Sequence, residues 1–285
     1  MAELYVVATP IGNLSDLSER MKWALSSCDL IAAEDTRVTM KLLNHLGIKK
    51  PLTSLHRHNE GQKADALAER MLAEDLMVCL TCDAGTPGIS DPGVPLVRAA
   101  IERGIRVTPV CGPSALTAHL SACGFDARAF AFYGFLPREA KALKAALQSA
   151  WDAHLPVSVF YESPHRVLKL METICALSGD CRVSVACDIS KRYEQIVTAP
   201  ALEVLEKLRA NPNIEKGEYS VAVAWPDRPA AEPPREALPV EAELILAMLD
   251  GLSLQDAAER ALADGRARNE VYRARLRIKD RFSLT

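Results

Sequence analysis

At 285 residues, with 49% hydrophobic and 25% charged side chains, the chain is large enough to bury a substantial core and to hold two or three domains. No stretch approaches the roughly 18 consecutive apolar residues of a membrane helix. Residues 1–9 lack the charged-then-apolar layout of a secretory leader, so a cytoplasmic protein with no membrane partner is expected. A net charge of −3 gives no global attraction for nucleic acid and leaves such binding to local patches.

In chain order, short β-rich apolar runs at 4–9, 30–33, 76–81, 105–110, 130–133, 157–161, 182–186 and 219–225 read as strands. Between them, 60–73, 92–103, 114–121, 137–151 and 163–177 carry a helical period, several opened by Ser or an early Pro, and Gly104 ends one of them. This alternation predicts an α/β protein with largely parallel strands. Five prolines (226, 229, 233, 234 and 239) make 227–239 a stiff, extended linker. A small helical module follows at 240–285: one helix at 240–249, one capped by Ser253 with Asp256 three residues on, and one beginning near Asn269. Leu244, Leu254, Ala258, Val271 and Leu276 are its expected core, and from Gly265 onward seven cations face only two acids.

The eight cysteines are scattered through apolar runs, which suits reduced, buried thiols. Cys79 and Cys82 form a C-x-x-C inside a strand-like run with no second pair at zinc spacing, and no metal site is expected.

In parallel α/β sheets ligands sit beyond the carboxyl ends of the strands, so the segments leaving each strand carry the functional signal. Four are unusual: Thr9-Pro10-Ile11-Gly12-Asn13-Leu14, the eleven-residue loop 83–93, Cys111-Gly112-Pro113-Ser114-Ala115, and Tyr161-Glu162-Ser163-Pro164-His165-Arg166. Loop 83–93 holds three glycines (85, 88 and 93) with two prolines between them, a rigid turn whose backbone can approach a ligand closely. Neither the P-loop pattern nor G-x-G-x-x-G is present, which argues against an ATPase and the usual dinucleotide site. Read alone, each segment could equally be a tight turn; Ser163 could serve only as a helix cap, and His56 and His58 only as surface residues.

These segments, with Ala33-Glu34-Asp35-Thr36-Arg37, His58-Asn59-Glu60, Tyr133-Gly134-Phe135-Leu136-Pro137 and Lys216-Gly217-Glu218, resemble the tetrapyrrole methylase superfamily. Within it they resemble the branch that methylates small-subunit ribosomal RNA, over about residues 4–225 in order. The resemblance implies a tetrapyrrole-methylase-like pair of α/β domains, here 1–117 and 118–226, with the ligand cleft between them. It also implies a homodimer and S-adenosylmethionine-dependent 2′-O-methylation of a cytidine in small-subunit rRNA or the 30S subunit. By the family pattern the donor contacts Pro10, Ile11, Asp83, Ala84, Gly85, Thr86, Ser114, Ala115 and Tyr161. RNA contact is expected at Arg37, His58, Asn59, His165 and Arg166. Where the family reads arginine, glutamate, leucine, threonine, lysine, this chain has Cys187-Asp188-Ile189-Ser190-Lys191, losing a cation at 187 and keeping Lys191.

A ribose hydroxyl is a poor nucleophile and is helped by a base or by a cation that favours the developing alkoxide. Glu34, Asp35, Glu60, Glu162 and Lys191 are the candidates, with Lys191 and Glu60 preferred as catalytic residues. Relatives in the superfamily that act on a tetrapyrrole or on a modified histidine of a protein leave that substrate class open, as does a donor- or RNA-binding module without catalysis.

Overall fold

Strand pairing in the computed structural model, which describes residues 1–226 and 238–282, sorts the apolar runs into two five-stranded sheets. In the first, β1 (Glu3–Val7) lies between β4 (Met77–Thr81) and β5 (Arg106–Val110), with β2 (Leu30–Ala33) beyond β4 and β3 (Leu52–Ser54) at the edge, all parallel. Alternation along these strands buries both faces. Leu4, Ala32, Val78 and Leu80 pack with α3 (Glu60–Glu74) and α4 (Val94–Glu102). Val7, Ile31, Ala33 and Cys79 pack with α1 (Glu19–Ser27) and α2 (Thr36–Leu46). Each fully buried aliphatic side chain contributes about 1.5–3 kcal/mol, and two-sided burial is why these strands read as continuous apolar runs.

The second sheet has the order β6-β7-β10-β8-β9, from β6 (Phe130–Phe135), β7 (Val157–Glu162), β8 (Arg182–Cys187), β9 (Gln195–Pro200) and β10 (Tyr219–Ala224). Here the expectation of largely parallel strands fails: only β6 and β7 run parallel, while β10 is antiparallel to both its neighbours and β8 is antiparallel to β9. The connection 188–194 is too short for a crossover helix and turns the chain directly back on itself. One face packs Phe160, Val185 and Val221 against α6 (Ala140–Asp152), α7 (Val167–Leu177) and α8 (Ala201–Ala210).

The other face receives α5 (Ala115–Ala122), which enters from β5 and buries Leu120 against Val157, Val159 and Ala222. Its His119 is fully buried, with Nδ1 2.8 Å from Ser220 Oγ and Nε2 3.0 Å from Ser184 Oγ. The boundary drawn at 117/118 therefore falls inside a helix that follows one sheet and packs on the other. The chain divides into Met1–Pro226, which holds both sheets, and Asp227–Thr285.

Several helices start later than the sequence implies because the preceding loops are longer. Glu139 caps α6 by accepting from Lys141 N and Ala142 N, in place of an opening at Pro137. Ser163 precedes α7 without capping it through its hydroxyl; its carbonyl accepts from Arg166 N and Val167 N. β3 and β9 are absent from the sequence reading.

The second unit contains α9 (Val240–Leu249), α10 (Leu254–Ala263) and α11 (Arg268–Phe282), with Ser253 accepting from Asp256 N at the start of α10. Leu244, Ala258 and Val271 are buried as expected and Leu254 packs at the margin, but Leu276 is 51% exposed and Ile278 takes the core position. The linker expectation at 227–239 falls, for 227–237, outside the described residues, as do 283–285.

Candidate active site

The carboxyl ends of β1, β4 and β5 are adjacent, so their loops meet. Thr9 and Gly85 exchange backbone hydrogen bonds of 2.8 and 3.0 Å, an isolated antiparallel bridge that fixes loop 83–93 against the end of β1. Gly85 sits at φ +86°, where an L side chain is strained, and a Cβ there would still find room 3.5 Å from Ile11; the backbone angle, not space, demands glycine. The rest of the loop is held by one internal hydrogen bond and by two from outside. Gly93 N donates to Glu60 Oε2 at 2.7 Å, Gly88 N donates to Pro92 O at 3.2 Å, and the Arg57 guanidinium donates to Ser90 O. Ser90 adopts φ +66°, and its hydroxyl lies where β6 bulges at Gly134; a Cβ on Gly134 would come within 2.7 Å of it.

Between the loops of the two sheets lies a cavity of about 370 Å³, within the range of small-molecule sites. Ile11, Ala84, Gly85, Thr86, Ser114 and Ala115 line it from the first sheet. Phe135, Tyr161, Glu162, Ser163 and Ile189 line it from the second, together with residues 218–220. Of the nine expected donor contacts, seven line the cavity; Pro10 and Asp83 do not. The Asp83 carboxylate is occupied by the Asp35 backbone N–H at 3.0 Å, and its own N–H donates to Glu34 Oε2 at 3.2 Å. Burial pushes both the Asp83 and Glu34 carboxyls up. Burial also pushes the Tyr161 phenol up to about 12, against the opposing Leu116 amide, so it remains a protonated donor. Phe132 and Phe135 meet its ring edge-on.

Three carboxylates line the cavity. Glu162 is 1% exposed; its Oε1 accepts from Ser163 N at 2.8 Å and its Oε2 lies 3.1 Å from Arg166 Nη2. That approach is off the line a hydrogen bond requires, so Oε2 has no hydrogen-bond donor despite the ion pair. Glu218 pairs with Lys191 Nζ at 3.1 Å, and Lys191 also reaches Asp188 Oδ1 at 3.2 Å. Burial alone would lower the Lys191 ammonium, but Glu218 and Asp188 together hold it above the usual lysine value. Asp91 carries no ion pair among the described residues; burial and then Glu34 push it up to about 6.

Lys191 stands just behind the lining. Its aliphatic stem crosses the backbone of Gly12, and Ile189 of the same segment reaches the cavity. The divergent Cys187 and Asp188 pack against Gly217, where a Cβ would meet Cys187 Sγ at 2.9 Å. Glu60 lies outside the lining, its carboxylate occupied by Gly93. Among the residues expected to touch RNA, Arg37 is exposed and its guanidinium is held by the Asp35 carboxylate, which it and the Arg37 N–H keep down at about 2. His58 and His165 are exposed. Asn59 is turned inward, accepting from His56 N at 2.8 Å, and Arg166 is spent on Leu136 O, Pro137 O and Glu162.

Sequence reading missed Asp91, Phe135, Ile189, Glu218 and Ser220 as individual lining residues, although the first four lie in segments it singled out. The C-x-x-C has a packing explanation: the Cys79 thiol donates to Ala24 O and the Cys82 thiol to Gly85 O, at 3.3 Å each, in different directions. Among the described residues no cluster of His, Cys, Asp and Glu is placed to hold a metal ion, and no helix is long and apolar enough to cross a membrane.

The model of the Tetrapyrrole (Corrin/Porphyrin) Methylases matches residues 3–205. The Ribosomal RNA small subunit methyltransferase I of Escherichia coli O157:H7 is 42% identical over 274 residues, covering 95% of this chain and 93% of that protein. The protein of the same name from Neisseria meningitidis serogroup B is 36% identical, covering 98% and 94%. Among solved structures, the methyltransferase CobJ covers 79% of this chain and 94% of its own with a TM-score of 0.56 at 16% identity. The uroporphyrin-III C-methyltransferase of Thermus thermophilus complexed with S-adenosyl homocysteine gives 0.52 at 17% identity over 77% of this chain and 96% of its own. At these identities the structural likeness is one of fold.

Proposed function

The chain belongs to the tetrapyrrole (corrin/porphyrin) methylase family, and from that premise we propose that it is the S-adenosylmethionine-dependent enzyme that 2′-O-methylates a cytidine of small-subunit ribosomal RNA. The observation that carries the proposal is the cavity itself, together with the near full-length likeness to ribosomal RNA small subunit methyltransferases.

The residues present fit the methyl donor. Backbone groups of loop 83–93 and the start of α5 suit the nucleoside, and Tyr161 offers a hydroxyl from the facing wall. Glu162, buried at the cavity wall and ion-paired to Arg166, adds negative charge on the side that suits the donor's cationic end. When bound, the donor supplies an electrophilic methyl group on a sulfonium. The protein's part is to hold the acceptor oxygen in line with that methyl group, an entropic contribution that carries much of the rate.

Lys191, held by two carboxylates behind the lining, is assigned to the RNA side, where a fixed cation favours phosphate or a developing alkoxide. Glu60 acts by positioning: it holds Gly93 and with it loop 83–93. The cation missing at 187 is replaced by packing, so phosphate contact in this segment falls to Lys191 and exposed neighbours such as Arg192. His58, His165 and Arg37 are proposed RNA contacts at the surface, whereas Asn59 and Arg166 hold the loops that present them. The homodimer implied by the family pattern and a cytoplasmic site of action belong to the same proposal; sedimentation of the purified protein tests the dimer.

The experiment is incubation with labelled S-adenosylmethionine and, in parallel, unmethylated 30S subunits, naked small-subunit rRNA, a porphyrin-like compound and a protein extract. Label in the RNA is expected. Label in the porphyrin-like compound or in protein, and none in RNA, would replace the substrate; tight donor binding without any transfer would leave only a binding module.

A further inference from the structure

The three carboxylates of the cavity differ in what neutralises them. Glu162 faces Arg166 and Glu218 faces Lys191, at 3.1 Å in each pair, and an ion pair makes a carboxylate a weaker base. Asp91 has no such partner among the described residues. Glu34 at the end of β2 and Asp83 at the end of β4 oppose its ionisation. The Cys82 thiol and Arg57 favour it, and the Arg57 guanidinium is engaged by Ser90 O. Across the cavity stands the Tyr161 phenol, which stays neutral. Burial and Glu34 bring the Asp91 carboxyl up to about 6. Such a group is ionised at neutral pH yet basic enough to accept a proton, the balance a general base needs.

The backbone on either side of Asp91 is held in place. Ser90, immediately before it, is held at φ +66° by Arg57 on its carbonyl and by the close approach of Gly134 to its hydroxyl. Gly93, two residues after, is held by Glu60 at 2.7 Å. Asp91, which lines the cavity without an ion pair among the described residues, thus sits on a loop clamped on both sides.

Resting on the methyl-transfer reading above, we propose that Asp91 is the general base of the reaction, taking the proton of the acceptor ribose hydroxyl as its oxygen attacks the methyl group. The O–H bond breaks and the proton passes to an Asp91 carboxylate oxygen. The new O–CH3 bond forms, the S–CH3 bond breaks, and sulfur keeps the electron pair as a neutral thioether. Asp91 then releases its proton to solvent.

The test compares the full-length wild type with Asp91→Asn and Asp91→Glu in single-turnover transfer from labelled S-adenosylmethionine to unmethylated 30S subunits, from about pH 5 to about pH 8, with donor affinity measured by calorimetry. The wild-type rate is expected to climb about tenfold per pH unit below about 6 and then level. Asp91→Asn should lose about 10²–10⁴-fold in rate and the acid limb with it, while binding donor within about threefold; Asp91→Glu should recover part of the rate with a displaced limb. Wild-type rate in Asp91→Asn, a slower rate with the same acid limb, or an equal loss of donor affinity would overturn the assignment. A wild type that methylates no RNA would overturn the rRNA reading and the base together, which separates the two failures.

Discussion

The two sheets of the first unit build opposite walls of one cavity by different means. The all-parallel sheet contributes chiefly main chain, Thr9 paired with Gly85, a loop at positive φ and the first turn of α5, with Asp91 as its one carboxylate. The mixed sheet contributes side chains, Tyr161, Glu162 and Glu218, set by ion pairs to Arg166 and Lys191. A wall made of backbone is specified by conformation and tolerates no change of φ. A wall made of side chains is specified by charge and can be altered one group at a time. The backbone of the first wall is thus what is expected to bind, and the charged side chains, Asp91 and those of the second wall, are what is expected to tune.

Gly85→Val gives the largest effect expected from this contrast. A β-branched residue at φ +86° is strained by about 1–3 kcal/mol or forces the loop to move. The fold should survive, and donor affinity measured by calorimetry should fall by about a hundredfold or more. Unchanged affinity in the folded variant would break the distinction between the walls.

The join between the sheets comes next. Burial pushes His119 down to about 4 from an ordinary 6.5, so the folded chain holds it neutral between Ser184 and Ser220. As pH falls below about 6.5 the unfolded chain takes up the proton while the folded chain does not until about 4, so stability is lost across that window. The loss reaches about 3 kcal/mol in urea unfolding. His119→Phe should remove that slope and also be less stable at neutral pH, with the Ser220 hydroxyl left unpaired and Ser184 keeping only Thr198. A slope that persists in His119→Phe would show that other groups carry the acid sensitivity.

Lys191→Ala sharpens the account of the second wall. Turnover should fall about 10- to 100-fold with donor affinity within about threefold. A parallel loss of donor affinity would mean that the Lys191–Glu218 pair serves the donor instead of the RNA.

The smallest effect belongs to the second unit, which is also set by charge. On α11, Arg268, Tyr272, Arg275 and Lys279 share one face, and no ion pair holds its cations among the described residues, whereas Arg266 and Arg277 are held by Glu243 and Glu241. Replacing Arg268, Arg275 and Lys279 together with Gln should weaken RNA binding about tenfold. It should also flatten the salt dependence by roughly 0.7–0.9 for each phosphate that is no longer neutralised. An unchanged salt slope would remove this helix from RNA binding.

The parallel sheet was the more legible of the two, because strands buried on both faces stand out as apolar runs: β2 was read at its observed limits. β3 and β9 escaped notice for the converse reason. Three half-buried residues, or six ending in proline at an edge, carry no periodic signal. Antiparallel pairing in the second sheet was hidden because strand direction leaves little trace in the residues of a single strand. Loop 83–93 was visible from its glycines, but which of its side chains faces inward was not. Asp91 and Asp83 are eight positions apart in the same loop, and only their hydrogen bonds separate a residue that braces the turn from one that lines the cavity. Arg166 likewise reads as a free cation until its three acceptors are seen. Leu276 and Ile278 differ by two positions on one helix, a rotation of about 200° that a short amphipathic segment does not fix on its own.

The proposed reaction passes a methyl group from S-adenosylmethionine in this cleft to a ribose oxygen of small-subunit rRNA. Complete digestion of the labelled rRNA to nucleosides, followed by chromatography against standards, tests it most directly. The label is expected to co-migrate with 2′-O-methylcytidine and to be absent when Gly85→Val replaces the wild type; label on a methylated base, or in RNA treated with the folded Gly85→Val protein, would contradict the proposed reaction.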